Sequence, residues 1–198
     1  MEPTDKSQTI TDVCAAIKSN ELNRAKSILR DKYRFISLVP VKKAFSPAEM
    51  TRLFARDGFI DRYSGERLVF TPVLRVLSRV LPTDFPYHPN WKMSECHIAY
   101  WEVTPTIDHI IPLARGGSCH DSNLATTSML RNGVKANWTL EELDWKLMAP
   151  GDSRQWDGLL KWFVKYIKDH QELLGETYFA SWYGAADAAL SRSHSLSA

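Results

Sequence analysis

The sequence predicts an α+β fold that is mostly helical, with a small strand-containing core between helical segments. Near both ends of the chain, apolar residues recur three and four positions apart, as on one face of a helix. Between them, short β-prone runs lead to residues 106–111, a β-branched stretch that stops at Pro112. We therefore expect a basic helical region at residues 1–45, a core at residues 46–147 and a helical pair at residues 148–198.

Length and composition are those of an ordinary soluble protein. The 198 residues can bury a substantial core, and 44% of them are apolar and 24% charged. Three cysteines give no disulfide framework, so a reducing compartment is expected. No charged-then-apolar leader opens the chain, and no apolar run approaches the ~20 residues that span a bilayer. We therefore expect a cytoplasmic protein with no membrane partner.

Charge is distributed unevenly along the chain. The net formal charge of +2 is too small to identify a nucleic-acid-binding protein by itself. Residues 1–79, however, hold 15 Lys and Arg against 9 Asp and Glu, whereas residues 80–198 hold 10 against 14. A basic first half suits a protein that neutralises phosphates, and lysine-rich solvated helix faces would give the same numbers.

The basic region is predicted to form a helical hairpin. Apolar residues at helical spacing indicate helices over residues 7–19 and 21–32, with Lys and Arg on the opposite faces. This hairpin either grips DNA or only packs on the core, and both interpretations stay open. Residues 35–41 then form a short β-prone run.

The next helix has clear signals at both ends. Ser46 can cap it, Pro47 suits its first position, and Glu49 completes a capping box. Gly58 is a typical stop signal, so a helix is predicted over residues 46–57.

Further elements lead from this helix to the β-branched stretch. Residues 59–70 alternate as a hairpin with a turn at Ser64 and Gly65. A short apolar helix is predicted at residues 72–81, and residues 93–103 are β-prone.

The most informative stretch is residues 106–137, which read TIDHIIPLARGGSCHDSNLATTSMLRNGVKAN. Its β-branched run contains two adjacent titratable residues, Asp108 and His109, which a buried strand does not normally carry. Asn123 follows fourteen residues after the histidine, and Asn132 follows nine residues later. Several spacings together therefore mark this stretch as a candidate site.

This stretch resembles the HNH, or ββα-metal, nuclease motif: Asp-His-Ile-x-Pro, then Gly-Gly, then Asn-Leu, then an Asn-x-x-Lys that ends at Lys135. The resemblance covers about 32 of the 198 residues. It implies a ββα-metal core made of a short β-hairpin and a helix, flanked here by N-terminal and C-terminal helices. It also implies a metal-dependent endonuclease that hydrolyses phosphodiester bonds, with double-stranded DNA as its substrate.

The resemblance assigns roles to four residues of this stretch. His109 would be the general base, since a neutral imidazole with a pKa near ~6.5 can take a proton from water at cellular pH. Asp108 and Asn132 would hold the metal, and one carboxylate and one amide oxygen suit Mg²⁺ or Mn²⁺. Asn123, grouped with His109 as catalytic, would bond across the loop and hold the histidine-bearing strand in register.

Three basic residues are candidate DNA contacts. Arg115 lies in the Gly-Gly loop, and Arg131 and Lys135 lie on the predicted metal-binding helix. They could equally form a solvated basic face, and the sequence leaves both alternatives open.

Many HNH nucleases carry a Cys-x-x-Cys knuckle for structural zinc on the hairpin, and this chain departs from that pattern. Residues 61–64 read Asp-Arg-Tyr-Ser, so structural zinc is not expected there. Apolar packing of Tyr63, Phe70 and Met129 is predicted to replace it. Two Cys-His doublets offer zinc-type ligands as an alternative: Cys96-His97 and Cys119-His120.

The adjacent charges on the strand pose one geometric problem. Neighbours on a regular strand point to opposite faces, so the side chains of Asp108 and His109 should diverge. They can share one phosphate only if the strand is distorted or if they approach it from different sides. Pro112 and the glycines after it favour a local distortion.

The remainder of the chain is predicted to be helical. Thr139 and Glu142 form a second capping box before a helix at residues 140–147. Longer helices are predicted at residues 155–174 and 177–190, and they carry aromatic residues at helical spacing. Such an aromatic stripe is either core or a platform on which bases stack.

The sequence-based hypothesis is an HNH endonuclease that acts in restriction or other phage defence, or in a mobile element. A homodimer would favour cutting both strands at once, because one site cuts one strand. Two rival hypotheses remain: a non-cleaving nucleic-acid-binding module on an HNH scaffold, and a helical interaction protein that uses the aromatic C-terminal pair.

Overall fold

The computed structural model describes residues 5–38 and 43–195, and it divides the chain into two compact units. The first unit lies within residues 1–39, and the second within residues 40–198. None of the described helices is long and apolar enough to cross a membrane.

The first unit is the predicted helical hairpin. It consists of α1, Lys6–Lys18, and α2, Leu22–Lys32. The two helices pack through a small cluster of Val13, Ala16 and Ala25. The strand predicted for residues 35–41 is wrong where it can be compared: residues 35–38 have no regular structure, and residues 39–41 lie outside the described part of the chain.

The second unit begins with the helix that its capping signals predict, α3, Pro47–Arg56. The side chain of Ser46 accepts from the Glu49 backbone N–H, and Glu49 accepts from the Ser46 N–H, so the predicted capping box is confirmed. Gly58 follows with φ +65°, a conformation that glycine adopts without strain.

The segment after α3 folds back on itself and leads into a second helix. Its two arms are joined by one antiparallel bridge, between Ile60 and Arg67, so the predicted hairpin is present without extended strands. The helix α4, Thr71–Val80, then follows as predicted.

Residues 93–103 were expected to be β-prone, and this prediction is wrong. They form turns and a short helix, α5, Ala99–Glu102. Tyr100 on α5 is fully buried and packs with Leu74 and Cys96. Burial of this aromatic side chain against α4 therefore outweighs the local β-propensity.

The two strands of the described chain form one antiparallel pair. They are β1, Pro105–His109, and β2, Leu124–Ser128, with Pro105 opposite Ser128 and His109 opposite Leu124. The helix α6, Met129–Lys135, follows β2 directly and is capped by the side chain of Ser128. The order is therefore strand, loop, strand, helix.

The helix predicted at residues 140–147 does not form. Thr139 and Glu142 make the reciprocal hydrogen bonds of the capping box, but the chain then passes through turns, with Asp144 at φ +53°. Trp145 instead places its ring 5.7 Å from that of Tyr63. The local cap is real, and tertiary contacts override the helix that it would start.

Two helices close the chain: α7, Leu160–Asp169, and α8, Thr177–Ser195, with a short 3-10 helix, Gln171–Gly175, between them. The main hydrophobic core joins these helices to α3 and α4, and Phe70 and Phe163 lie at its centre, fully buried. The structure thus confirms an α+β fold that is mostly helical.

Candidate active site at the end of β1

Asp108 lies on β1 and is only 6% exposed. Its Oδ2 atom accepts a hydrogen bond from the Tyr63 hydroxyl at 2.5 Å and pairs with the Lys135 ammonium at 2.8 Å. No described residue donates to its other oxygen, Oδ1. The carboxylate is therefore fixed through one oxygen and keeps the other available.

Lys135 is the last residue of α6, and its side chain is fully buried. Its Nζ atom donates to the His109 backbone carbonyl at 2.8 Å, in addition to pairing with Asp108. A buried ammonium requires such partners, because an unpaired charge in the interior is very costly. The predictions that Lys135 contacts phosphate or lies on a solvated basic face are therefore corrected: it braces β1 from inside.

His109 is the last residue of β1 and is half-buried. Its Nε2 atom is buried and has no hydrogen-bond partner among the described residues. Burial lowers the pKa of this imidazole below its usual value, Asp108 raises it in part, and Lys135 lowers it further. The side chain is therefore neutral at cellular pH.

The strand that carries these two residues is regular. Asp108 lies opposite Ala125 and His109 opposite Leu124, with the pairing unbroken to the end of β1. The distortion expected from Pro112 is therefore not found within the described ladder. The two side chains leave β1 on opposite faces, so they can act on one phosphate only from different sides.

Asn123 ties down the loop between β1 and β2. Its Oδ1 atom accepts from the Ile111 N–H at 2.8 Å, and its Nδ2 atom donates to the carbonyls of Ile111 at 3.0 Å and Ser118 at 2.8 Å. This side chain thus makes the cross-loop bonds that the resemblance implies for it, directly after the histidine-bearing strand.

Asn132 lies on α6 and faces β1. Its Nδ2 atom donates to Thr106 Oγ1 at 3.0 Å and to the Ile107 carbonyl at 3.3 Å. No described residue donates to its amide oxygen. The strand β1 therefore holds the Asn132 side chain by its nitrogen, and its amide oxygen remains available as a ligand.

The two arginines predicted to contact DNA are both paired within the protein. Arg115 pairs with Glu142 at 2.9 Å, and Arg131 pairs with Glu66 at 3.3 Å. A phosphate would have to compete with these carboxylates, so neither guanidinium is a ready-made anion site.

Two fully buried aspartates, Asp57 and Asp61, anchor β2 from its other side. Asp57 Oδ2 accepts from the Thr126 N–H at 2.8 Å, and Asp61 Oδ2 accepts from the Ser128 N–H at 2.8 Å. Asp61 Oδ1 also accepts from the Thr127 hydroxyl at 3.1 Å. Side chains from the hairpin segment thus replace ladder partners that β2 lacks on this edge.

Arginines balance the charge of Asp57. Arg56 donates to both of its oxygens at 2.9 Å, and Arg62 donates to Oδ1 at 2.9 Å. Burial raises the pKa of Asp57, but the hydrogen bonds from Arg56 and Thr126 outweigh this effect and hold the pKa below its usual value. The carboxylate is therefore ionised and fully engaged.

This polar network joins the hairpin to β2 and α6, the junction at which structural zinc was not expected. The prediction that apolar packing of Tyr63, Phe70 and Met129 takes over this role is incomplete. Phe70 lies in the hydrophobic core, but the Tyr63 hydroxyl donates to Asp108, and buried Asp61 accepts hydrogen bonds from Thr127 and Ser128. Buried ion pairs and hydrogen bonds hold the junction.

The donor set that remains at the site fits a hard divalent cation. The free oxygens of Asp108 and Asn132 are one carboxylate and one amide, which suit a cation that keeps several waters and completes its shell with substrate phosphates. Donors on the second oxygen of a ligating carboxylate are usual at metal sites.

A site made only of His, Cys, Asp and Glu side chains is not found. Among the described residues, no three or more of these side chains are grouped to hold a metal ion. Cys119 is exposed, and the Cys96 thiol sits beside the His88 backbone, where it accepts from the N–H at 3.0 Å.

Comparison with models of known protein families, with curated proteins and with solved structures finds no match to this chain. The assignment of the site therefore depends on its own residues and geometry.

The sequence does not predict the roles that three residues around the site play in the structure. Tyr63 was considered only for packing, and Asp57 and Asp61 were given no role. Their partners lie 45 to 69 residues away along the chain, so spacing carries no signal for them. Composition carries no signal for them either, because the hairpin that holds Asp61 also carries Arg62, Glu66 and Arg67.

Proposed function

We propose that the chain is a metal-dependent endonuclease of the HNH class that hydrolyses phosphodiester bonds in double-stranded DNA. The observation that carries this proposal is the buried Nε2 atom of His109, which has no partner among the described residues. A buried polar atom without a partner calls for a functional explanation, since nearly all such atoms in proteins are satisfied. The strand–loop–strand–helix order and the free oxygens of Asp108 and Asn132 support the same reading.

His109 would act as the general base. A neutral imidazole nitrogen that accepts no hydrogen bond from the protein can accept a proton from a water molecule as that water attacks phosphorus. Lys135 donates to the backbone carbonyl oxygen of His109, and Asn123 holds the loop that follows. The base is thus positioned through the main chain of β1.

Asp108 and Asn132 would hold the cation through their free oxygens. When bound, a divalent cation supplies stabilisation of the negative charge that develops on the phosphate and the leaving oxygen. Tyr63 and Lys135 keep Asp108 in one orientation. Because Lys135 already balances the charge of Asp108, we expect weak Mg²⁺ binding by the free protein and tighter binding when DNA phosphates add ligands.

Supercoiled plasmid provides the direct test. The full chain is incubated with plasmid in the presence of Mg²⁺, Mn²⁺ or a chelator, and nicked and linear products are separated on a gel. We expect products only with metal, and for His109→Ala a rate lower by on the order of 10²–10⁴-fold, the usual contribution of a general base.

A matched histidine variant controls for non-specific effects. His170→Ala removes a histidine that follows α7 and stacks on Tyr166 at 4.0 Å, away from the candidate site. The cleavage rate of this variant should equal that of the original chain. Cleavage by His109→Ala at the full rate, or cleavage that persists in chelator, would contradict the proposal. Slower migration of intact plasmid on the gel, without any cleavage, would favour the non-cleaving DNA-binding module.

A further inference from the structure

A cavity of about 250 Å³ lies beside β1 in the second unit. Four aromatic residues line it, Tyr87, Trp91, Tyr178 and Trp182, together with Arg75 and Thr104. Clefts that bury drug-sized ligands start at roughly 300 Å³, so this cavity has room for one flat heterocycle and little more. Tyr178 and Trp182 belong to the aromatic stripe that the sequence left open between core and base-stacking platform.

Arg75 is an uncompensated cation in the wall of this cavity. Its guanidinium lies 3.5 Å from the centre of the Tyr87 ring and 4.9 Å from that of Tyr178. No carboxylate of the described residues pairs with it, and no described residue accepts a hydrogen bond from it. The two rings hold the guanidinium in place, and its N–H donors remain available to a ligand.

Thr104 adds a second unsatisfied group on the same wall. It is 4% exposed, and its Oγ1 atom is buried without a hydrogen-bond partner among the described residues. Buried hydroxyls in native proteins nearly always have a partner, so a buried orphan beside a cavity points to a ligand that supplies one.

We propose that this cavity binds a purine base, and guanine in particular. A guanidinium matches the O6 and N7 acceptors on one edge of guanine, and this pairing is the commonest specific contact of arginine with a base. Tryptophan rings stack on the face of any base, so Trp91 and Trp182 can hold it flat, and the Thr104 hydroxyl can bond a polar atom on its rim. The cavity thus combines a flat shape, stacking walls and two polar groups, which are the features that a purine base requires.

A cationic ligand would not suit the cavity. Aromatic cages that bind quaternary ammonium groups present bare ring faces, whereas Arg75 already covers the faces of Tyr87 and Tyr178 here. A second cation would meet like charge. The ligand should therefore be neutral or anionic and rich in acceptors.

The position of the cavity connects it with the candidate active site. Thr106 lines the cavity, and its Oγ1 atom accepts the hydrogen bond from Asn132. His109 is three residues further along β1, about 10 Å at roughly 3.3 Å per residue. The identification of the ligand as a base of the DNA substrate rests on the proposed function. The guanine would have to be flipped out of the duplex to enter the cavity, and it would lie within a few nucleotides of the cut.

Binding is tested with nucleotides alone, because Trp91 and Trp182 in the wall provide a fluorescence signal. The full chain is titrated with GMP, CMP and inorganic phosphate, with excitation of tryptophan near the red edge of its absorption. GMP should bind at least tenfold more tightly than CMP, and phosphate should give no saturable change. Equal responses to GMP and CMP, or to phosphate, would overturn the proposal.

Two variants tie the signal to the cavity. Arg75→Lys keeps the charge but loses the two-pronged pairing, and we expect at least a tenfold weaker affinity for GMP. Thr104→Val removes a hydroxyl without a protein partner, so GMP affinity should fall several-fold while the thermal midpoint stays the same or rises. Unchanged GMP affinity in Thr104→Val and in folded Arg75→Lys would contradict the assignment, and Thr104→Val alone decides it if Arg75→Lys does not fold.

The outcome is separable from that of the proposed function. His109→Ala should bind GMP as the original chain does, since it removes the base for hydrolysis and no group of the cavity. Metal-dependent plasmid cleavage without GMP selectivity would remove only the guanine site. GMP selectivity without cleavage would leave the guanine site and remove the nuclease.

Discussion

Three buried aspartates surround the two-stranded sheet, and they differ in how completely their oxygens are used. Asp57 and Asp61 lie beside β2, and both oxygens of each accept hydrogen bonds. Asp108 lies on β1 and receives donors on one oxygen only, next to a histidine whose buried Nε2 has no described partner. We call the β2 side, with Asp57 and Asp61, the saturated side, and its hydrogen bonds stabilise the fold. The β1 side, with Asp108 and His109, is the unsaturated side, and its free atoms are available for chemistry.

The largest expected effect on stability comes from the saturated side. Asp57→Asn keeps the shape of the side chain but leaves Arg56 and Arg62 facing a neutral amide. Removing one member of a buried charged network typically costs about 3–5 kcal/mol, and we expect a loss of that size in the free energy of unfolding at pH 7. Urea unfolding followed by far-UV circular dichroism measures it.

The pH dependence of the same variant tests the cause. The pKa of Asp57 in the folded protein lies below its unfolded-state value of about 3.9, so the unfolded chain binds the proton more tightly. The stability that Asp57 contributes is therefore present above about pH 5 and is lost as the pH falls through its folded pKa. The difference between the original chain and Asp57→Asn should narrow in acid; a constant difference from pH 7 to pH 3 would show that charge is not the cause.

A smaller effect is expected at the loop between the two sides. Asn123→Ala removes the bonds to the backbone of Ile111 and Ser118 and leaves those groups to water or to no partner. We expect the free energy of unfolding to fall by about 1–3 kcal/mol. Amide hydrogen exchange should rise in the loop while β2 stays protected, because Asp57 and Asp61 still hold that strand. Increased exchange along β2 as well would contradict the separation of the two sides.

The smallest effect is expected at Gly133 of the motif, and Gly117 is the contrasting position. A Cβ atom at Gly117 would collide with the Ile111 carbonyl oxygen and crowd Asn123 Nδ2, whereas a Cβ at Gly133 on α6 meets nothing. Gly133→Ala should therefore raise the free energy of unfolding by about 0.5–1 kcal/mol, the usual gain in a helix. Gly117→Ala should lower it by displacing the loop. Thermal unfolding of both variants checks the signs, and a gain in both would show that the loop is not tightly packed around Asn123.

Local signals account for the parts of the fold that the sequence predicted well. The capping box of α3 lies within four consecutive residues, Ser46 to Glu49, and it forms as predicted. The paired strand β1 overlaps the β-branched run; it begins one residue earlier than predicted and ends at His109. Hydrogen bonds between near neighbours are the same in any tertiary context, so such patterns transfer directly to structure.

Long-range packing accounts for the failures. The stretch around Tyr100 is β-prone by composition, yet burial of that ring against Leu74 and Cys96 makes it a turn and a short helix. Likewise, the cap at Thr139 forms but Trp145 leaves the helical path to contact Tyr63. In both cases a partner far away in sequence takes part, Leu74 for Tyr100 and Tyr63 for Trp145.

In the candidate site, too, local sequence patterns predict some features and long-range packing decides the others. Motif spacing singled out Asp108, His109, Asn123 and Asn132, and the structure places them on β1, its following loop and α6. Burial of Lys135 could not be read from the sequence, because a lysine near an asparagine fits an exposed helix face equally well. Its two partners, a carboxylate and a backbone carbonyl on β1, exist only once the strand and helix meet.

The central claim is that Asp57 and Asp61, whose oxygens all accept hydrogen bonds, stabilise the fold, whereas Asp108 and His109 carry out the reaction. One side-by-side measurement tests it. The rate of plasmid cleavage per folded molecule is determined with Mg²⁺ for Asp57→Asn and His109→Ala, at a temperature where circular dichroism shows both variants folded. We predict that Asp57→Asn cleaves within a few-fold of the original chain despite its lower stability, and that His109→Ala is folded but slower by on the order of 10²–10⁴-fold. Equal losses of rate in the two variants, or undiminished cleavage by His109→Ala, would contradict the account.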